Sequence, residues 1–192
     1  MVKCSKCKHL LDAVWLFCPY CGTELLSSYF VDKRDGELYR TVKIGNQIWM
    51  AENFRYKCDG AHSYKYGDDV FVKEYGLLYS WNVAEKIAPD GWHLPSYEEF
   101  CQLEEYVKDS NKLKKEHVWK TSLDDPFGFG ALPAGCCAQG HDFGLGKFAS
   151  FWTSSGEVSN SRECRFEIGN MDYDELGDSA VTSASIRFVK DE

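Results

Sequence analysis

The chain has 192 residues, 44% apolar and 15% aromatic, which is material for one medium domain with a real core plus a very small one. The absence of any run of about 18 apolar residues excludes a membrane-spanning helix, and a net charge of −8 argues against nonspecific binding to a phosphate backbone. That charge is uneven: residues 1–25 carry Lys3, Lys6 and Lys8 against Asp12 and Glu24, a net +1, so the remainder carries −9.

The N-terminal stretch "MVKCSKCKHLL" offers no apolar segment of signal-peptide length, and a cytoplasmic location is the expectation. Within "CSKCKHLLDAVWLFCPYCG", Cys4, Cys7, Cys18 and Cys21 form a C-x2-C-x10-C-x2-C pattern. Two such turns offer four thiolates to one ion. Four sulfurs satisfy tetrahedral zinc and leave no place for water, so one structural Zn2+ is expected, with His9 redundant as a ligand. So short a segment cannot fold on an apolar core, and metal binding would supply much of its folding energy. The segment resembles the small zinc ribbons of bacterial proteins, "FCPYCGTEL" being the second knuckle. Its first knuckle differs in having Lys8 where glycine is common. The nine cysteines are an odd number, and the other five (Cys58, Cys101, Cys136, Cys137, Cys164) show no paired spacing. Free thiols in a reducing compartment explain them better than a disulfide framework.

Residues 1–25 are therefore read as a ribbon, 26–28 as a hinge and 29–192 as a second domain. In "YFVDKRDGELYRTVKIGNQIWMAENF", Asp35-Gly36 and Gly45-Asn46 separate β-branched or aromatic runs, two successive hairpin signals. They predict strands near 29–34, 38–44 and 47–50. Apolar residues at helical intervals predict a helix from Leu78 to Ala88, ending before Pro89. A second helix opens at Ser96, whose N-cap position and Glu99 three residues later make a capping box, with Phe100, Leu103 and Val107 as the buried stripe. Between 117 and 190 the chain is Gly-rich and strand-like ("FGFGALPAG", "ASFWTSS", "ECRFEIG", "SASIRFVKD"). Two helices in a strand-dominated chain predict an α+β domain.

Six segments in order, "RDGELYRTVKIGNQIWMAENF", "YGLLYSWNVA", "APDGWHLPSYEEF", "FGFGALPAG", "FWTSS" and "SIRFVKD", resemble the Fibrobacter succinogenes major paralogous domain over about 30–191. That resemblance implies a C-type-lectin-like fold of two helices, short antiparallel strands and a long loop-rich half. It implies ligand binding more than catalysis, and some members are diversified targets of retroelements that rewrite the C-terminal part. Members often carry cysteines near "SYKYGDD" and near the final strand, where this chain has Lys65 and Phe188.

Residue by residue, packing competes with chemistry. His93, in "DGWHLPSYEEF", has Glu98 and Glu99 nearby, but Glu99 is engaged in the capping box and Glu98 faces solvent, leaving no catalytic partner in view. Cys136-Cys137 is an adjacent pair that bridges poorly. A formylglycine-generating type of enzyme, the kinship the fold suggests, would require Cys137 and Cys164 to meet. Asn170, Asp172 and Asp174 match the first three positions of a calcium loop, but the required glycine is Glu175 and the twelfth position is Val181. A solvated acidic loop explains them better. Trp49, Trp81, Trp92, Trp119 and Trp152 are read as core.

The segment 156–180 holds seven acidic residues against Arg162 and Arg165, a net −5. It lies where diversified relatives place variable residues. Arg162, Glu163, Arg165, Glu167, Asn170, Asp172, Tyr173, Asp174 and Glu175 are the candidate ligand-binding residues, suited to a basic protein partner. The leading expectation is a non-catalytic binding module with a structural zinc. A nucleic-acid contact through the ribbon is a weaker alternative.

Overall fold

The computed structural model describes residues 2–4, 6–11, 17–23, 27–63, 69–119, 124–157, 160–167, 170–176 and 182–191. From 156 to 176 the description is of backbone only. Among its described residues the ribbon has a short ladder, β1 (Val2–Lys3) against β2 (Leu10–Leu11).

The second domain is mixed α+β and opens with three strands, β3 (Ser27–Val31), β4 (Leu38–Ile44) and β5 (Gln47–Met50). The last two coincide with the stretches expected from the sequence. β3 starts at Ser27, inside the stretch read as a hinge, and ends three residues before the expected boundary. The β4–β5 turn is two residues long, pairing Ile44 with Gln47, as Gly45-Asn46 predicts. After β6 (Ala61–His62), α1 (Asp69–Tyr75) is a helix that the sequence reading missed. The helix expected over Leu78–Ala88 is mostly something else. Leu78–Ser80 forms β7, and only Trp81–Ala84 (α2) is helical. Pairing decides this: β7 lies between two other strands, and its ladder outweighs the helical spacing of its apolar residues.

β8 (Trp92–His93) leads into α3 (Tyr97–Val107), whose capping box is present in full. Ser96 Oγ accepts from Glu99 N–H at 3.2 Å, and Glu99 Oε2 accepts from Ser96 N–H at 2.8 Å. A 3-10 turn at Ser110–Leu113 follows. The remaining strands are β9 (Cys136–Ala138), β10 (His141–Phe143), β11 (Ala149–Glu157), β12 (Asn160–Glu167), β13 (Asn170–Leu176), β14 (Thr182–Ala184) and β15 (Val189–Lys190). They complete three sheets, ordered β3-β4-β5-β15-β8, β10-β9-β14-β7-β6 and β11-β12-β13, antiparallel throughout.

The centre of the first sheet is covered on both faces, which is why β5 reads as the continuous run "IWM" rather than alternating with polar residues. Trp49 faces a core of Val42, Ile44, Phe100, Leu103, Phe129 and Phe151, beneath α3. Met50 faces the other core, with Tyr39, Phe54, Tyr79, Trp81, Trp152 and Phe188. All five tryptophans expected inside are there, none more than 7% exposed. Phe188 is fully buried.

Arg187 runs between the cores and is fully buried. Its Nε donates to Asn53 Oδ1 at 2.9 Å, its Nη2 to Gly130 O at 2.7 Å and its Nη1 to Phe129 O. The guanidinium also lies 4.6 Å from the Phe129 ring centre and 5.3 Å from that of Phe151. Burial, with Arg40 nearby, pushes its pKa down to about 9, so it stays charged at neutral pH. Replacing it with Met would strand three buried acceptors. Arg187→Met should lose on the order of 3 kcal/mol in urea unfolding, and Arg187→Lys should recover only part because it lacks the planar fork. A Met variant as stable as the wild type would contradict the anchoring role.

Candidate functional site

The four ribbon cysteines converge, their sulfurs all lying within 4.8 Å of one another. Cys4 and Cys21 Sγ are 3.6 Å apart, Cys7 and Cys18 Sγ 3.4 Å. Zn–S bonds of about 2.3 Å in a tetrahedron require edges of about 3.8 Å, so the donor set fits one zinc with little adjustment.

The two knuckles are built alike. Lys8 N–H donates to Cys4 O and Gly22 N–H to Cys18 O, each closing its turn. Lys8 and Gly22 both have positive φ, 63° and 68°, which explains why glycine is usual where this chain has Lys8. His9 is not a fifth ligand. Its Nδ1 lies 3.3 Å from Cys7 Sγ and its ring stacks on Tyr20, so it braces the sulfur. Hydrogen bonds from the Thr23 hydroxyl and backbone hold the Cys21 thiol down, to about 6. The Cys7 thiol is lowered by the His9 backbone, but burial and the three neighbouring sulfurs outweigh this and raise it to about 12. Zinc must displace that last proton, so metal binding is coupled to proton release.

The acidic segment is a strand pair, not a loop. β12 lies between β11 and β13, with Arg162 opposite Glu175, Glu163 opposite Asp174, Cys164 opposite Tyr173, Arg165 opposite Asp172 and Glu167 opposite Asn170. Strand alternation divides the nine candidates between two faces. Arg162, Tyr173 and Glu175 share the face that Phe151 takes on β11, whereas Glu163, Arg165, Glu167, Asn170, Asp172 and Asp174 share the other. The side chains of all nine lie outside the described residues. The signal for strands was available in Cys164 and Phe166, and in Met171 and Tyr173, apolar at period two. The calcium-loop spacing fails here. Along a strand Asn170, Asp172 and Asp174 are about 7 Å from one to the next, too far to wrap one ion.

His93, for which the sequence offers no catalytic partner, is held between two carboxylates. Its Nε2 lies 2.8 Å from Glu99 Oε1 and its Nδ1 2.7 Å from Asp191 Oδ1. Glu99 thus caps α3 with one oxygen and holds His93 with the other, tying the helix start to the end of the chain. Cys136 and Cys137 are buried on β9 and form no disulfide. Cys137 and Cys164 sit in different sheets, and the Cys164 side chain is outside the described residues, as is Lys65. A cleft of about 870 Å³ between the β3–β4 hairpin and α1 is lined by Arg34, Arg55 and Lys57 among others. These cations already pair, with Asp32 at 2.6 Å, Glu37 at 2.7 Å and Asp69 at 3.3 Å, which leaves the cleft little surplus charge for an anion.

A family model described as a zinc-ribbon domain matches residues 1–25, and one described as the Fibrobacter succinogenes major domain matches residues 42–190. The comparisons with curated proteins and with solved structures returned no match. Among the described residues, no helix is long and apolar enough to cross a membrane.

His93 supplies a pH test. Burial lowers its pKa, but the hydrogen bonds to Asp191 and Glu99 outweigh that and hold the imidazole above its usual value. Its pairing therefore stabilises the fold fully below about pH 6.5, the unfolded value, and is lost as pH rises through the higher folded value. Urea unfolding should show His93→Gln less stable than the wild type by more at about pH 5.5 than at about pH 8.5. Partial exposure keeps the difference near or below about 1 kcal/mol. A gap that grows with pH would contradict the pairing.

Proposed function

The chain belongs to the Fibrobacter succinogenes major domain family, and on that premise we propose that it is a non-catalytic protein-binding module whose zinc ribbon is structural and whose contact surface is the β12–β13 strand pair. The observation that carries this reading is the register of that pair. It aligns Glu163, Glu167, Asp172 and Asp174 with one arginine, Arg165, on a single face of a hydrogen-bonded ladder. Acidic side chains spaced on a rigid ladder lose little entropy on meeting a partner, and their field favours a basic one. The domain is proposed to be a C-type-lectin-like fold, which agrees with strands from both ends of the domain sharing one sheet in the order β3-β4-β5-β15-β8. A cytoplasmic location suits the zinc-binding thiols of the ribbon and Cys58, Cys101 and Cys137 of the larger domain, none of which is in a disulfide.

The same strand pair is the proposed site of sequence diversification, since alternate positions on a ladder tolerate replacement without changing the backbone. If so, the flanking DNA should contain a near-copy of the bases encoding about residues 150–190, differing mainly at adenines. Its absence would remove the diversification proposal and leave the binding proposal standing. Glu157, Glu163, Glu167 and Glu175 weigh against it, because adenine changes in an Asn codon do not yield glutamate.

The binding proposal is tested by in-cell crosslinking and mass spectrometry of the tagged chain beside a Glu163→Gln/Asp172→Asn/Asp174→Asn variant. A basic partner crosslinked to 160–176 should be lost in the variant, and its binding should weaken with salt. Equal crosslinking by both chains would overturn the assignment of the surface.

A further inference from the structure

The sheet β10-β9-β14-β7-β6 is rolled so far that its two edges meet. His62 on the β6 edge and Asp142 on the β10 edge are formally four strands apart, yet His62 Nε2 lies 3.0 Å from Asp142 Oδ1. Cys137 completes the group. Its sulfur, the imidazole nitrogen and a carboxylate oxygen all lie within 4.8 Å of one another. The turn between β9 and β10 fixes two of the three. Gln139 and Gly140 both have positive φ, 52° and 75°, the pattern of a tight two-residue hairpin, and the resulting register puts Asp142 directly opposite Cys137. The third is brought in by packing, since Leu78, the ladder partner of His62, clusters with Cys137, Phe71 and Leu145.

We infer that His62, Cys137 and Asp142 form a second metal site, separate from the ribbon, for a divalent transition ion of the zinc class. The donor set is one thiolate, one imidazole and one carboxylate. The thiolate and imidazole select Zn2+, Co2+ or related ions over Mg2+ and Ca2+, which prefer all-oxygen shells. Two anionic donors balance a doubly charged ion. Tetrahedral zinc needs N···O and S···N separations of about 3.4 and 3.6 Å, so the His62–Asp142 pair must part by only a few tenths of an ångström. All three donors stand on strands of one sheet, which holds them in place better than loops would.

The exposure of the group distinguishes this site from the ribbon. Cys137 is buried beneath the cluster, whereas the side chains of His62 and Asp142 are 44% and 25% exposed. A bound ion would therefore have protein on one side and solvent on the other, with a fourth position open to water or a small ligand. Three protein donors and an open position are the pattern of reactive rather than structural zinc. Burial raises the Cys137 thiol pKa, and so does Asp142 beside it. A cation between them removes that conflict by stabilising both negative charges.

Cobalt titration of the full-length chain with its ribbon zinc in place tests this. Wild type should develop a sulfur-to-cobalt charge-transfer band and visible tetrahedral d–d bands that saturate at about one cobalt per chain, while ribbon zinc stays near one equivalent. Cys137→Ser should lose the charge-transfer band. Asp142→Asn and His62→Gln should each weaken cobalt binding by about tenfold or more, at unchanged far-ultraviolet circular dichroism. Should Cys137→Ser not fold, the exposed Asp142→Asn variant decides alone. The site is overturned by a wild type that shows no cobalt band at millimolar metal, by a band that survives in Cys137→Ser, or by Asp142→Asn binding as wild type does.

Discussion

One buried cation holds the larger domain together. Arg187 stands on the short segment before β15, and its three donors reach Asn53 after β5 and the carbonyls of Phe129 and Gly130 in the "FGFGALPAG" loop. None of those three segments is a helix or a strand; backbone hydrogen bonds from Met50 to Phe188 and from Phe54 to Ile186 join the first two, and Arg187 brings in the third. A long loop buried without such partners would leave carbonyls unsatisfied in a dry interior. The guanidinium meets that need with five fixed N–H groups, and two aromatic rings, of Phe129 and Phe151, cover its faces. Asn53 extends the network, its amide donating to Tyr75 O and to Ser185 Oγ. The end of α1, the last strands and the Gly-rich loop are thereby held around one charge.

The ribbon solves the same problem by another means. Among its described residues the buried cluster is Cys4, Leu11 and Cys18, and a segment of this length has little room for an apolar core that offsets chain entropy. Four sulfurs around one ion replace the missing core, and the knuckle hydrogen bonds pre-shape each thiol pair. Two neighbouring units in one chain thus use opposite strategies, metal coordination in the first and apolar burial around a cation in the second.

Both proposed surfaces lie in the sheets outside the one covered at its centre on both faces. β12 and β13 extend from β11, whose Phe151 and Trp152 are anchored in the two cores, so the acidic ladder is rooted by its inner strand. The rolled sheet places His62, Cys137 and Asp142 where its edges close, over a small apolar cluster of its own. In each case the core supplies rigidity, and the polar residues stand at the end of elements it positions.

What the sequence determined by itself is local. Cysteine spacing named the zinc site, because two C-x2-C turns need no tertiary context to present four thiols. Asp35-Gly36, Gly45-Asn46 and the Ser96/Glu99 box marked hairpins and a helix start, because turns and caps are satisfied within a few residues. Only tertiary structure decided the rest. Leu78–Ser80 became a strand through pairing with β14 and β6, against its helical spacing. His93 gained Asp191 from 98 residues away, and Cys137 gained His62 from the far edge of a sheet. Arg187 is an unremarked letter in "SIRFVKD" until the loop it anchors folds over it. Such groups are assembled by sheet order and curvature, and neither is written in the spacing of residues along the chain.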